Sequence, residues 1–266
     1  EIAQCLVGSE MCIRDSNKAQ AGLVLTAEYS DLWKEDKKTE TNEVMFALQH
    51  SAKHKIASNY GKSYYPSDYS PNAGWADYYG NEDFFKAYPN DDRKEWNYMT
   101  EWKIKSGEII PYTESADKLP AISKYYDYDE GAPGKSAQSN GITCIYRYAE
   151  VLLMYAEAST RATNSVNQDA LNAIQEVQKR AGYQNRQIEL TTTTEPAAFL
   201  TAVSNERGWE FFAEMKRWFE LVRLEKVKEV RAEEWDASTF NTNHHYYFPV
   251  PYQQVDLAGW TNNAGY

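Results

Sequence analysis

The stretch IYRYAEVLLMYAEAST, residues 145–160, decides how the fold is read. Ile145, Tyr148, Ala149, Leu152, Tyr155 and Ala156 recur at the spacing of an α-helix, and Val151, Leu153 and Met154 widen the apolar stripe almost to a full wrap. A helix apolar on most sides must be packed on most sides. Its polar remainder is a narrow line of Arg147, Glu150, Glu157 and Arg161, spaced for ion pairs along one helix edge.

Working outward, a second helix is predicted over about Gln168 to Ala181, with Leu171, Ile174, Val177 and Ala181 on one face and Gly182 as its stop. The two form an αα-hairpin. Thr194, Glu195 and Pro196 open a third helix through FLTAVSNERGWEFFAE, because proline suits the first helical position and an acid suits the positive dipole end. A fourth begins near Lys216 and runs through RWFELVRLEKV. Two such pairs within residues 142–230 suggest the edge of a TPR-like solenoid, although strict TPR consensus residues are absent.

Upstream, EVMFALQ (43–49) alternates Val44, Phe46 and Leu48 as a strand does. Residues 57–141 hold most of the Gly, Pro, Asn, Asp and Tyr, including SNYGKSYYPSDYSPNAGWADYYG at 58–80, with turn signals at Tyr65-Pro66, Ser70-Pro71 and Gly131 to Gly134. A loop region of that length with so many rings is read as ordered loops and short strands. The expected class is α-rich α+β, in which TPR-like helix pairs carry a long loop-rich, short-strand insertion.

Composition narrows the function. A charge of −11 argues against nucleic acid, whose phosphates call for clustered Lys and Arg. No run of about 18 apolar residues marks a membrane span. Cys5, Cys12 and Cys144 lack ligand spacing, so neither a disulfide scaffold nor a zinc site is expected. Gln4 to Ser16 (QCLVGSEMCIRDS) resembles translated sequencing-adapter read-through; residues 1–16 are then non-native, and the natural protein extends upstream of about Asn17.

Glu206, Glu210 and Glu214 lie four apart, which invites a glycosidase reading. Like charges at that spacing need cations, and Arg147, Arg207, Arg217 and Arg223 are at hand. The expectation is a buried ionic network of Glu206, Glu210 and Arg217 with Arg147 or Arg223, doing no chemistry. His50 and His54 are four apart but no third ligand completes a metal site. There is no GxSxG, Walker loop or GxGxxG, so neither an enzyme nor a cofactor is expected.

Within residues 64–79, Tyr64, Tyr65, Tyr69, Trp75, Tyr78 and Tyr79 crowd together. Aromatic faces stack on the C–H side of sugar rings, while nearby Asn72, Asp77 and Asn81 suit hydroxyl groups. Trp75 with Tyr64, Tyr65, Tyr78 and Tyr79 is therefore the candidate glycan platform, since rings in a loop poor in aliphatic residues cannot all be buried.

YSDLW (29–33), EVMFALQ (43–49), Asp92-Arg93, Lys124-Tyr125, YRYAEVLLMYAEA (146–158), ERGWEFFAEMKRWFELVR (206–223), FPVP (248–251) and NNAGY (262–266) together, in this order, resemble the C-terminal part of the SusD/RagB family. The likeness covers about Ala21 to Tyr266. Met215 stands where the family has glycine, which suggests a more continuous helix there; Ala264 replaces a proline and Glu220 an aspartate. The resemblance implies a surface-exposed outer-membrane lipoprotein that binds oligosaccharide or polysaccharide and delivers it to a TonB-dependent, SusC-like transporter, with its lipid anchor outside this fragment. The alternative is a TPR-like protein–protein interaction scaffold, which would use the aromatics as an interface. The sequence names neither the sugar nor its linkage.

Overall fold

A computed structural model describes residues 22–125, 139–230 and 246–266. They fall into two compact units, one ending at Glu214 and one spanning Met215–Tyr266, and each is described by itself. In chain order the first unit contains β1 (Val44–Gln49), α1 (Tyr60–Tyr64), α2 (Glu82–Ala87), α3 (Asp92–Asn97), β2 (Tyr98–Met99), β3 (Glu101–Lys103), β4 (Ile109–Pro111), β5 (Ala121–Ile122), β6 (Ile142–Arg147), α4 (Tyr148–Thr163), α5 (Gln168–Arg180) and α6 (Pro196–Glu210). The second contains α7 (Arg217–Arg223), α8 (Val227–Val230) and α9 (Tyr252–Ala258). The fold is α-rich α+β.

Helices α4, α5 and α6 build the main core. Leu152, Leu153 and Ala156 of α4 meet Ala170, Ile174 and Val177 of α5 and Phe199 and Val203 of α6, all buried. Fully burying such a side chain stabilises by about 1.5–3 kcal/mol. The hairpin between α4 and α5 turns at Asn164, which takes a left-handed φ of 46°, and Asn167 caps α5 by accepting from the Ala170 amide. Gly182 ends α5 with φ 86°. A Cβ there would also lie 2.2 Å from Asp92 Oδ2, so any other residue would have to displace that carboxylate as well as adopt the left-handed backbone. Glu195 and Pro196 start α6 as expected, the carboxylate accepting from the Ala197 and Ala198 amides.

The strands pair as three two-stranded antiparallel ribbons, β1 with β6, β2 with β5 and β3 with β4. Two readings are corrected in the first of these. Ile145, Tyr146 and Arg147 belong to β6, not to the helix, and Arg147 has the extended φ of −145°. Register shifts between Val44 and Ala47 break the expected alternation, leaving Phe46 and Leu48 exposed. The loop-rich region is also more helical than predicted: α2 and α3 nucleate on Asn81 and Asp91, which cap their first amides. The Gly131 to Gly134 turn signal, Cys5, Cys12 and the adapter-like string lie outside the described residues. Cys144 is buried, and burial pushes its thiol up to about 12.

At the centre of the first unit lies a charged cluster without solvent exposure. Arg147 donates to Glu43 Oε1 at 2.7 Å, to both Glu214 oxygens at 2.9 and 3.1 Å, to the Glu210 backbone carbonyl at 2.7 Å and to the Glu210 carboxylate. Arg93 reaches Glu206 at 2.6 Å, Glu210 at 2.8 Å and Asp91 at 2.6 Å. Arg180 joins Glu43 at 2.7 Å and also Glu210. Lys124 meets Glu214 at 2.7 Å. The expected network thus exists around Glu206, Glu210 and Arg147, but Arg93 and Arg180 are its other guanidinium partners. Arg217 belongs to the second unit, where it pairs with Glu220 at 3.6 Å.

These contacts split the acids. Burial raises Glu210, yet Arg180, Arg147 and Arg93 outweigh it and hold the carboxyl well below the usual range; Arg147 and Lys124 likewise outweigh burial at Glu214. At Glu206 burial wins over Arg93, and its carboxyl lies above the usual range. Burial also lowers the Lys124 ammonium to about 8, against the pull of Glu214.

In the second unit, the closing motifs clasp each other. Asn262 accepts from the Val250 amide at 2.8 Å, Asn263 donates to the Phe248 carbonyl at 2.6 Å, and Tyr266 donates to the Tyr247 carbonyl at 2.9 Å. The predicted fourth helix is shorter than read, because Glu225 turns to a φ of 56° after α7. Nor does a continuous helix replace the turn at Met215. Helix α6 stops at Glu210, and Ala213 and Met215 adopt φ of 58° and 61°, conformations that cost an L-residue roughly 1–2 kcal/mol.

Three outcomes follow. Glu210→Gln should lower the unfolding free energy by about 3–5 kcal/mol, since it strands charge among three arginines; an unchanged denaturant midpoint would refute this. The depressed Glu210 and Glu214 contribute stability that is present above the unfolded carboxylate pKa of about 4.3 and lost as pH falls further, so thermal melts should drop steeply on that acid limb. Met215→Gly should add about 0.5–1 kcal/mol by relieving the left-handed backbone, offset in part by glycine's unfolded-state entropy; a loss of stability in urea titration would contradict it.

Candidate functional site

The aromatic segment 58–80 is ordered on α1. The Trp75 amide donates to the Lys62 carbonyl at 2.6 Å, the Asp77 and Tyr78 amides to Ser63 at 2.9 and 3.3 Å, and the Ala76 amide to Tyr65 at 3.0 Å. The loop therefore borrows carbonyls at the end of a five-residue helix as its hydrogen-bond acceptors. Gly74 makes this approach possible, because a Cβ there would sit 1.9 Å from the Tyr65 carbonyl oxygen. Ala76 takes a left-handed φ of 57°, which turns the chain between two outward rings.

The five platform candidates separate by burial. Trp75 and Tyr78 are 52% and 62% exposed. Tyr79 is half-buried, and its hydroxyl donates to Asp117 at 2.7 Å; burial first, then that hydrogen bond, raises its pKa. Tyr64 is 9% exposed and Tyr65 fully buried, so Tyr65 has no face to offer a ligand. Tyr64 is turned inward by the last turn of α1, and Tyr65 by the extended residue that follows it. Tyr65 meets Tyr69 edge-on at 4.8 Å.

Tyr64 supports the surface from beneath. Its ring centre is 5.8 Å from Tyr78, in T-shaped contact, and 6.1 Å from Tyr125, stacked. Tyr125 continues to Trp33 at 5.6 Å, and the Lys124 ammonium lies 4.2 Å from the Trp33 ring centre. A column of rings thus runs from the charged cluster to the exposed Tyr78.

The polar neighbours sort as well. Asp77 is exposed, Asn81 is committed to capping α2 through the Phe84 amide, and the Asn72 side-chain nitrogen is buried without a hydrogen-bond partner. Asp68 accepts from the Trp102 indole at 2.8 Å. The Lys62 ammonium stands 5.2 Å from the Trp75 ring centre. Nothing in a thirteen-residue sequence separation marks that contact; only the folded-back loop creates it.

The alternative chemistry loses its geometry. Glu206 and Glu210 are fully buried in arginine pairs, whereas a glycosidase pair must face substrate in an open cleft. His50 faces the Ile56 carbonyl and the Thr143 hydroxyl, and His54 faces the Ser51 hydroxyl. Among the described residues no three His, Cys, Asp or Glu side chains gather as a metal site.

Known proteins share this fold. The SusD-like protein P2 of Formosa agariphila is 26% identical over 275 residues, covering 94% of this chain and 54% of that protein. A SusD superfamily protein from Parabacteroides distasonis superposes with a TM-score of 0.78 at 22% identity, over 99% of this chain and 58% of the other. Surface glycan-binding protein A from Bacteroides thetaiotaomicron, in complex with laminarihexaose, gives a TM-score of 0.70 at 22% identity, covering 98% and 59%. The chain spans a little over half the length of these relatives. The SusD family model matches residues 100–266, well over half of the sequence and inclusive of the helix core, the carboxylate motif and the closing FPVP and NNAGY segments: the chain belongs to the SusD family.

Proposed function

We propose that this chain is the C-terminal part of a surface-exposed outer-membrane lipoprotein that captures glycan without altering it and passes it to a TonB-dependent, SusC-like transporter. The observation that carries the reading is the outward pair Trp75 and Tyr78, 52% and 62% exposed on a loop fixed by backbone hydrogen bonds to α1. Exposed rings on an ordered loop mark an interaction surface. A flat indole or phenol with hydroxyl-binding neighbours suits a sugar, whose C–H face is apolar and whose rim is polar.

Three facts favour this over a protein-binding scaffold or an enzyme. The outward rings are carried by the loop hydrogen-bonded to α1, not by the α4–α5 pair on which a helical-repeat scaffold would place its partner. The carboxylates that could hydrolyse a glycoside are engaged inside the fold. A relative of the same fold has been seen with laminarihexaose. The proposed ligand-contacting residues are Trp75 and Tyr78, with Tyr79 at the margin and Tyr64 and Tyr65 as supports beneath.

Calorimetric titration with laminarihexaose, followed by other neutral oligosaccharides until one is bound, tests the proposal. Trp75→Ala should weaken the bound glycan by about 1 kcal/mol or more, roughly fivefold, with an unchanged melt because the ring is exposed. Equal affinity in wild type and variant would remove Trp75 from the site.

A further inference from the structure

We infer that Lys62 is the positioning residue of this face: it holds the Trp75 indole from one side and leaves the opposite side to the ligand. The inference rests on the reading of Trp75 as a glycan platform. One residue makes both contacts that fix the tryptophan. Its carbonyl accepts the Trp75 amide at 2.6 Å, and its ammonium lies over the indole, 5.2 Å from the ring centre, within the range of a cation–π attraction.

An exposed tryptophan has little packing to choose its rotamer, and Trp75 is 52% exposed. Its backbone is constrained by Gly74 and by the left-handed Ala76, but these set the Cα–Cβ direction and not the ring plane. The ring plane is set by what lies over it. Among the described residues no carboxylate pairs with Lys62, so the indole is the partner that orders its ammonium, and the two long side chains order each other. With one indole face covered by the cation, a pyranose can stack only on the other. The platform is thereby one-sided, and a glycan chain is offered a single line of approach across Trp75 toward Tyr78.

Pre-ordering matters because freezing a mobile side chain on binding costs about 0.5–1.5 kcal/mol, equivalent to about two- to tenfold in affinity. Lys62→Met keeps the aliphatic stem and removes the charge, whereas Lys62→Arg keeps a cation that stacks on indole at least as well. The backbone carbonyl is unchanged in both.

The test uses the whole chain labelled with 5-fluorotryptophan, the Trp75 fluorine resonance being assigned by its loss in Trp75→Phe. Without any ligand, Lys62→Met should move and narrow that resonance while the other tryptophans stay put, and Lys62→Arg should restore it. Retention by laminarin in native affinity gels should fall two- to tenfold in Lys62→Met and recover in Lys62→Arg. A Trp75 resonance unchanged in Lys62→Met would overturn the positioning role whatever the gels show. A moved resonance with laminarin retention equal in wild type, Lys62→Met and Trp75→Ala would leave the clamp standing and overturn the platform.

Discussion

The rest of the first unit depends on the burial of Glu210 between three guanidinium groups. A lone carboxylate in that position would cost several kcal/mol in desolvation, so the fold must deliver Arg93, Arg147 and Arg180 to one point. They come from α3, the end of β6 and the end of α5, elements that are far apart in sequence. Helix α6 brings Glu206 and Glu210, and the turn after it brings Glu214. Each side chain is useless to the others unless all five segments dock together. This gives a cooperative reason for a small ribbon, a helix pair and a short capped helix to share one arrangement.

The same cluster reaches the surface through rings. Lys124 and Arg147 lie under Trp33, which meets Tyr125, then Tyr64, then Tyr78. Aromatic pairs of this geometry contribute about 0.5–1.5 kcal/mol each beyond area burial. Rigid backing is what a binding face on a loop needs, because a mobile platform loses affinity to ordering on every encounter. The insertion is therefore held at two levels, by hydrogen bonds to α1 close by and by the ring column from below.

Much of this was legible in the sequence where local chemistry dictates structure. The α4–α5 hairpin followed from the apolar period, its end from Gly182, and the start of α6 from Glu195-Pro196. The sequence also pointed to a structural use for Glu206 and Glu210, because like charges four residues apart demand cations. Which cations answered was not legible. Arg93 and Arg180 are more than a hundred and about thirty residues from Glu210, with no periodicity connecting them, and the short Asp92-Arg93 and Lys124-Tyr125 motifs carry no local sign of their role. The helix break at Met215 misled for a related reason: tertiary demand for a turn overrode the residue's own preference. At the proposed binding face, composition implied that some rings must face outward. Only the placement of α1 could sort Trp75 and Tyr78 from Tyr64 and Tyr65.

The claim that the buried acids are a mutually dependent structural unit is tested most directly by a double-mutant cycle between Arg147→Gln and Glu210→Gln, with urea unfolding as the readout. Each single change strands its partner's charge, while the double change removes both. The account predicts strong non-additivity, with the double variant less destabilised than the sum of the singles by more than about 1 kcal/mol. Additivity within about 0.5 kcal/mol would mean that the two side chains act independently and that the network is not what holds the unit together.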